Sequence, residues 1–104
     1  MYIFVSTSSR EDSLKLRDTV ESIGDTVTNR DMDTPPGSRL IIEQEEDLRA
    51  AEEFLFERGS EILLGMALGL GKRVCVIGKL SFYHPKIRYY ESLVHYIKGI
   101  EKDA

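Results

Sequence analysis

Within the stretch "RGSEILLGMALGLGKRV", residues 58–74, one acid, Glu61, stands at the mouth of an otherwise apolar, glycine-spaced segment. A carboxylate there could attack an electrophilic carbon or stabilise a cationic transition state. It could equally be a cap. Ser60 fits a helix N-cap, and the helix dipole favours an acid in the first turn. Both readings are open. A second group of chemical interest is "STSS", residues 6–9. Ser6, Ser8 and Ser9 could offer hydroxyls to a phosphate or a ribose where a strand meets a helix N-terminus. Plain N-capping needs just one of them. The glycines of a dinucleotide fingerprint are absent, which argues against a Rossmann cofactor, and no cofactor is expected.

Further along, Gln44 and Glu45 interrupt the apolar stripe of Ile41, Leu48 and Ala51. Such a break marks a helix end rising into solvent or a group facing a pocket. His84, in "SFYHPKIRYY", reads as a loop packing residue or a ligand. No Cys or His cluster has metal-ligand spacing, so no metal is expected. Ser, His and Asp all occur, but without the signature of a nucleophile elbow.

The elements that must position these residues alternate regularly. Residues 2–6 read as a buried strand. "SSREDSLKLRDTVESIG" follows as a helix, with Ser8 and Glu11 or Ser9 and Asp12 as its capping box and Gly24 as its stop. "DTVTN" is a second short strand, and "RDMDTPPGS" is a loop broken by its prolines and glycine. Residues 38–51 then form a helix, "EEFLF" a strand, and residues 60–71 a helix. "KRVCVIG" and "KIRYY" are further strands, and "ESLVHYIKGIEK" is a closing helix. Gly65 and Gly69 share one side of the third helix, where each costs up to about 1 kcal/mol relative to alanine. Close approach of that helix to the sheet is the expected compensation.

Strands alternating with helices predict a doubly wound α/β fold, a parallel sheet of about five strands with helices on both faces. Ligands bind such sheets beyond the carboxyl ends of the strands. Those ends carry "STSS", "NRDMD", "FERGS" and "GKLSFYH".

With 104 residues, the chain has the length of a single domain, residues 1–104. Its net charge of −4 argues against a nucleic-acid polymer as the main partner. One cysteine, Cys75, cannot form an internal disulfide, which suggests a reducing, cytoplasmic setting. It reads as a small buried hydrophobe or a reactive thiol. "MYIFVSTSS" lacks the features of a signal peptide, and no run approaches the ~20 apolar residues of a membrane span.

Four blocks in order, "GDTVTNRDMDTPPG", "DLRAAEEFLF", "RGSEILLGMALGLGKRVCVIGK" and "FYHPKIRYY", resemble the small branch of the nucleoside 2-deoxyribosyltransferase-like family. The similarity spans nearly the whole chain. "LGMALGLGKRV" and "FYHPKIRYY" are its most specific pieces. The resemblance implies a flavodoxin-like sheet and assembly as a homodimer or higher homo-oligomer. It implies cleavage of the N-glycosidic bond of a deoxynucleoside or its monophosphate. A glutamate attacks the anomeric carbon and a nearby aspartate serves the base, beside an oxocarbenium-like transition state. The family's nucleophile stands directly before "LG", where this chain has Leu63. Glu61 is two residues earlier, about 200° around an ideal helix. The family's aspartate maps to Gln44. Both expected carboxylates are therefore replaced, and "STSS" stands where a glycine is common.

Three readings follow. In the first, the protein binds a nucleoside, a nucleotide or a related ribosyl metabolite and has lost bond cleavage. Ser6, Ser8 and Ser9 would contact phosphate or sugar, Gln44 a base edge or sugar hydroxyl, and Arg30 and Asp31 would line the rim. Ser60 and Leu63, at the start of the third helix, would complete the ligand-binding residues. In the second, the protein is an active N-glycosidase or deoxyribosyltransferase using Glu61, with Asp47, Glu45 or Asp33 as partner. In the third, it is a structural or regulatory oligomer without a small ligand.

Overall fold

The computed structural model describes residues 1–29 and 41–102. Its elements, in chain order, are β1 (Tyr2–Thr7), α1 (Arg10–Ser22), β2 (Thr26–Val27), α2 (Ile41–Ala50), β3 (Glu53–Glu57), α3 (Glu61–Gly69), β4 (Arg73–Ile77), β5 (Ile87–Tyr90) and α4 (Leu93–Lys98). The strands form one parallel sheet in the order β2-β1-β3-β4-β5. This is the doubly wound parallel sheet expected from the alternation of elements, in the flavodoxin-like form that the resemblance implied.

Both faces of the sheet are covered, so the middles of its central strands are apolar on both sides. Alternate residues sort to opposite faces. Phe4, Phe54, Phe56, Val74 and Val76 pack with Leu48 and Ala51 of the α2 region and with Leu63, Leu64 and Ala67 of α3. Ile3, Val5, Leu55, Cys75, Ile77 and Tyr90 pack with Leu16 and Val20 of α1, and Leu93 and Tyr96 of α4 close the same side.

The second strand is shorter than "DTVTN". Its backbone pairing covers Thr26 and Val27, and the Asn29 side chain then continues the contact with β1. The Asn29 Oδ1 accepts from the Val5 N–H at 2.8 Å, and its Nδ2 donates to the Val5 carbonyl at 2.8 Å. An amide side chain thus takes the place of a strand residue at the edge.

The expected packing of the third helix is corrected. Gly65 and Gly69 are exposed, and a methyl group on either would meet nothing within 4 Å. They lie on the outward side of α3, so close approach to the sheet does not account for them. The close approach is made instead by Gly59, in the loop before α3. A methyl group there would come within 2.5 Å of the Ser6 carbonyl carbon, far inside ordinary contact.

Candidate site at the carboxyl edge

At the carboxyl end of β1, Ser6 is buried on the α2/α3 face of the sheet. Its hydroxyl accepts the Ser60 N–H at 2.9 Å. This bond spans 54 residues of sequence and needs Gly59, because any side chain there would collide with Ser6. The loops after β1 and β3 are therefore fastened side by side, and they start α1 and α3 at neighbouring points. Ser9 caps α1, accepting from the Asp12 N–H at 3.2 Å. Thr7 donates to the Ser9 carbonyl at 2.7 Å and shares a 2.6 Å hydrogen bond with Ser13. Ser60 caps α3, accepting from the Leu63 N–H at 3.3 Å.

Of the sequence-predicted contacts, Ser6, Ser9 and Ser60 are thus drawn together, each with a structural partner. Ser8 is the serine left exposed between β1 and α1. Arg58 lies in the same corner with φ 56, the left-handed region that a non-glycine residue seldom occupies. Its guanidinium lies 4.0 Å from the Asp12 carboxylate, and its side chain is 72% exposed. At that exposure the pair contributes little to stability. Sequence reading passed over Arg58, although its place between a strand and an N-cap was visible.

Leu63 and Glu61 part company. Leu63 is 4% exposed and belongs to the core beneath α3, beside the buried Leu64 and Ala67. Glu61 is exposed on the first turn and accepts a 2.7 Å hydrogen bond from the Ser81 hydroxyl. That bond ties the β4–β5 loop to α3. Gln44 and Glu45 are half-buried on α2, and Glu45 pairs with Arg49 one turn on at 2.8 Å. Arg30, Asp31 and Asp33 lie outside the described residues.

His84 serves the loop. Its backbone N–H donates to the Tyr89 hydroxyl at 2.9 Å, and its Nδ1 accepts from the Lys86 N–H at 3.1 Å. Tyr83 stacks on Tyr89 at 5.6 Å between ring centres. The aromatics of "FYHPKIRYY" do not share one surface. Phe82 and Tyr83 are exposed, whereas Tyr90 is buried on the opposite face against Tyr96.

A separate open groove of about 570 Å³ lies along the β2 edge, lined by Thr26, Val27, Thr28, Glu46, Asp47 and Ala50. Asp47, a candidate partner for Glu61, faces this groove at 4% exposure.

The most enclosed ionisable cluster is on the other side of the sheet. Glu53, 2% exposed, opens β3 on the α1/α4 face. One carboxylate oxygen receives the Cys75 thiol at 3.4 Å and the Arg73 guanidinium at 3.1 Å. The other receives the Tyr96 hydroxyl. Burial, then the charge of Glu53, pushes the Cys75 thiol up to about 12. Burial and the hydrogen bond to Glu53 raise the Tyr96 phenol as well. A thiol so placed stays protonated and is a poor nucleophile. The cluster therefore works as a polar pin in the core rather than as reactive groups. Sequence reading missed it, although period-two alternation puts Glu53 on the face of Leu55.

Among the described residues, no three His, Cys, Asp or Glu side chains gather as around a metal ion, and no helix is long and apolar enough to cross a membrane. No family model, curated protein or solved structure matches this chain. The class defined by the structure alone is a flavodoxin-like α/β domain whose polar loops meet at the carboxyl edge of the sheet.

Proposed function

We propose that this domain binds a nucleoside, a nucleotide or a related ribosyl metabolite at the carboxyl edge of its sheet without cleaving it. The observation that carries this reading is the Ser6–Gly59–Ser60 junction, which holds the starts of α1 and α3 together. Helix N-termini suit anionic groups, and the exposed Ser8 and Arg58 could add a hydroxyl and a cation. Gln44 would meet a base edge or a sugar hydroxyl. The resemblance to the deoxyribosyltransferase-like family supplies the ligand class. The loss of cleavage rests on Leu63, an apolar core residue at the family's nucleophile position. We further propose that the protein is a cytoplasmic homodimer or larger, with the exposed Ile62, Phe82 and Tyr83 as contact residues.

The experiment is a thermal-shift panel of nucleosides, nucleotides and ribose phosphates, paired with chromatography for free base. Binding without base release is expected. At a hundredfold excess over the dissociation constant, stabilisation is about 2.7 kcal/mol. No shift with any member of the panel would refute the reading.

One observation keeps a catalytic alternative in play. Ser81 fixes the Glu61 carboxylate at this same edge. If wild type releases base and Glu61→Gln abolishes the release, the protein is an N-glycosidase or deoxyribosyltransferase and the binding-only reading falls.

A further inference from the structure

Strand β5 is an edge of the sheet. An open edge presents unpaired amides and carbonyls that invite another strand. Here the segment after α4 lies along that edge. After α4, Gly99 takes φ 70 in a left-handed cap and turns the chain back. The Lys102 N–H then donates to the Tyr89 carbonyl at 2.7 Å. The neighbouring Tyr90 carbonyl is already used inward, by the Gly78 N–H at 2.9 Å, so the Tyr89 carbonyl is the outward one. The Lys102 ammonium reaches the Gly78 carbonyl at 3.4 Å, and Glu101 faces Arg88 at 4.0 Å.

This cover is lightly attached. Helix α4 is six residues long and none of them is fully buried. Its outer side carries Val94 and Ile97, and Ile100 follows the Gly99 cap; all three are exposed. Its inner side is held by the Tyr96 hydroxyl on Glu53, by the edge-on contact of Tyr96 with Tyr90 at 5.3 Å, and by Leu93. Only Glu91 and Ser92 connect it to β5. Elements with few buried contacts open locally, well before the core does.

We infer that α4 and residues 99–102 form a latch over the β5 edge. Closed, the latch occupies the Tyr89 carbonyl and blocks strand addition. Open, it leaves β5 to pair with the β5 edge of a second copy. This does not depend on the ligand proposed above.

The test is amide hydrogen exchange on the full chain, with light scattering alongside. In the wild type, the Lys102 amide should be protected despite its exposure, and the α4 amides should exchange together, ahead of β3 and β4. Lys102→Pro removes the donor to Tyr89. Gly99→Val strains the left-handed turn that returns the chain. In both variants α4 exchange should rise about five- to tenfold, the effect of losing one hydrogen bond. Exchange in β3 and β4 should hold. Both should also associate beyond the wild-type state as concentration rises. An unprotected Lys102 amide in the wild type would overturn the inference. So would variants that match the wild type in α4 exchange or in association.

Discussion

Among the described glycines, Gly59 is the one at which an added methyl collides, so Gly59→Ala is the sharpest test of the junction. The added methyl would meet the Ser6 hydroxyl, its carbonyl oxygen and, at 2.5 Å, its carbonyl carbon. Ordinary carbon contacts are about 3.5–4.0 Å, so β1 and the β3–α3 loop must separate by about 1 Å or more. Two of the three colliding atoms are backbone at the end of a central strand, and no rotamer change can move them. Overpacking of this kind costs about 1–3 kcal/mol. Separation also breaks the 2.9 Å bond from the Ser60 N–H to Ser6, about 1 kcal/mol more. The total is about 2–4 kcal/mol, a large share of a small domain's stability. At about 4–8 °C per kcal/mol, the melting temperature should fall by about 10–30 °C. Gly65→Ala is the control. Its methyl meets open space, and it removes a glycine from a helix interior, so it should stabilise by about 1 kcal/mol. Urea titrations of the two variants, with calorimetry as a check, decide the matter. A Gly59→Ala protein within about 0.5 kcal/mol of wild type, the scatter of ordinary surface substitutions, would refute the close junction and the site built on it.

Three further outcomes follow from the same contacts. Glu53→Ala should cost about 3 kcal/mol in urea unfolding, because the half-buried Tyr96 hydroxyl and the buried Cys75 thiol lose their acceptor, whereas Tyr96→Phe should cost about 1 kcal/mol, since Arg73 still faces the carboxylate. Cys75 should resist a thiol reagent at neutral pH until the protein unfolds. Its folded pKa of about 12 lies above the ordinary 9.0, so its stabilising contribution is intact below pH 9 and is lost as pH rises from about 9 to about 12. A Cys75→Ala variant should show a shallower fall over that window in alkaline unfolding. Leu63→Glu should lose about 3 kcal/mol or more by placing a carboxylate in the core under α3, and it should release no base from deoxynucleosides.

The elements were legible because each carries a local signal. Spacing left Ser8 with Glu11 and Ser9 with Asp12 both open as the cap of α1, and Ser9 is the one that caps; Ser60 caps α3 as its place suggested, and the alternation of strands with helices pointed to the parallel sheet. Alternation along a strand carries more. It separates Tyr89 from Tyr90, which go to opposite faces, and it places Glu53 inside. The glycines show where local signal ends. Gly65 and Gly69 look like packing glycines because spacing gives the side of a helix they share but not what that side faces. Gly59 looks like an ordinary loop residue, and its partner Ser6 is more than fifty positions away. The candidate site has the same character. Its serines were visible as hydroxyls near helix starts, but not the division of roles in which Ser6 accepts across two loops while Ser9 and Ser60 cap helices. Each of these hydroxyls accepts one backbone N–H and keeps its own O–H as a donor. Ser8 and Arg58 are the exposed polar side chains at this corner, and they join Gln44 in the proposed contact set. That arginine keeps a left-handed backbone which a glycine would adopt without cost. The strained conformation, more than the serine run, makes this corner the place to look for a ligand.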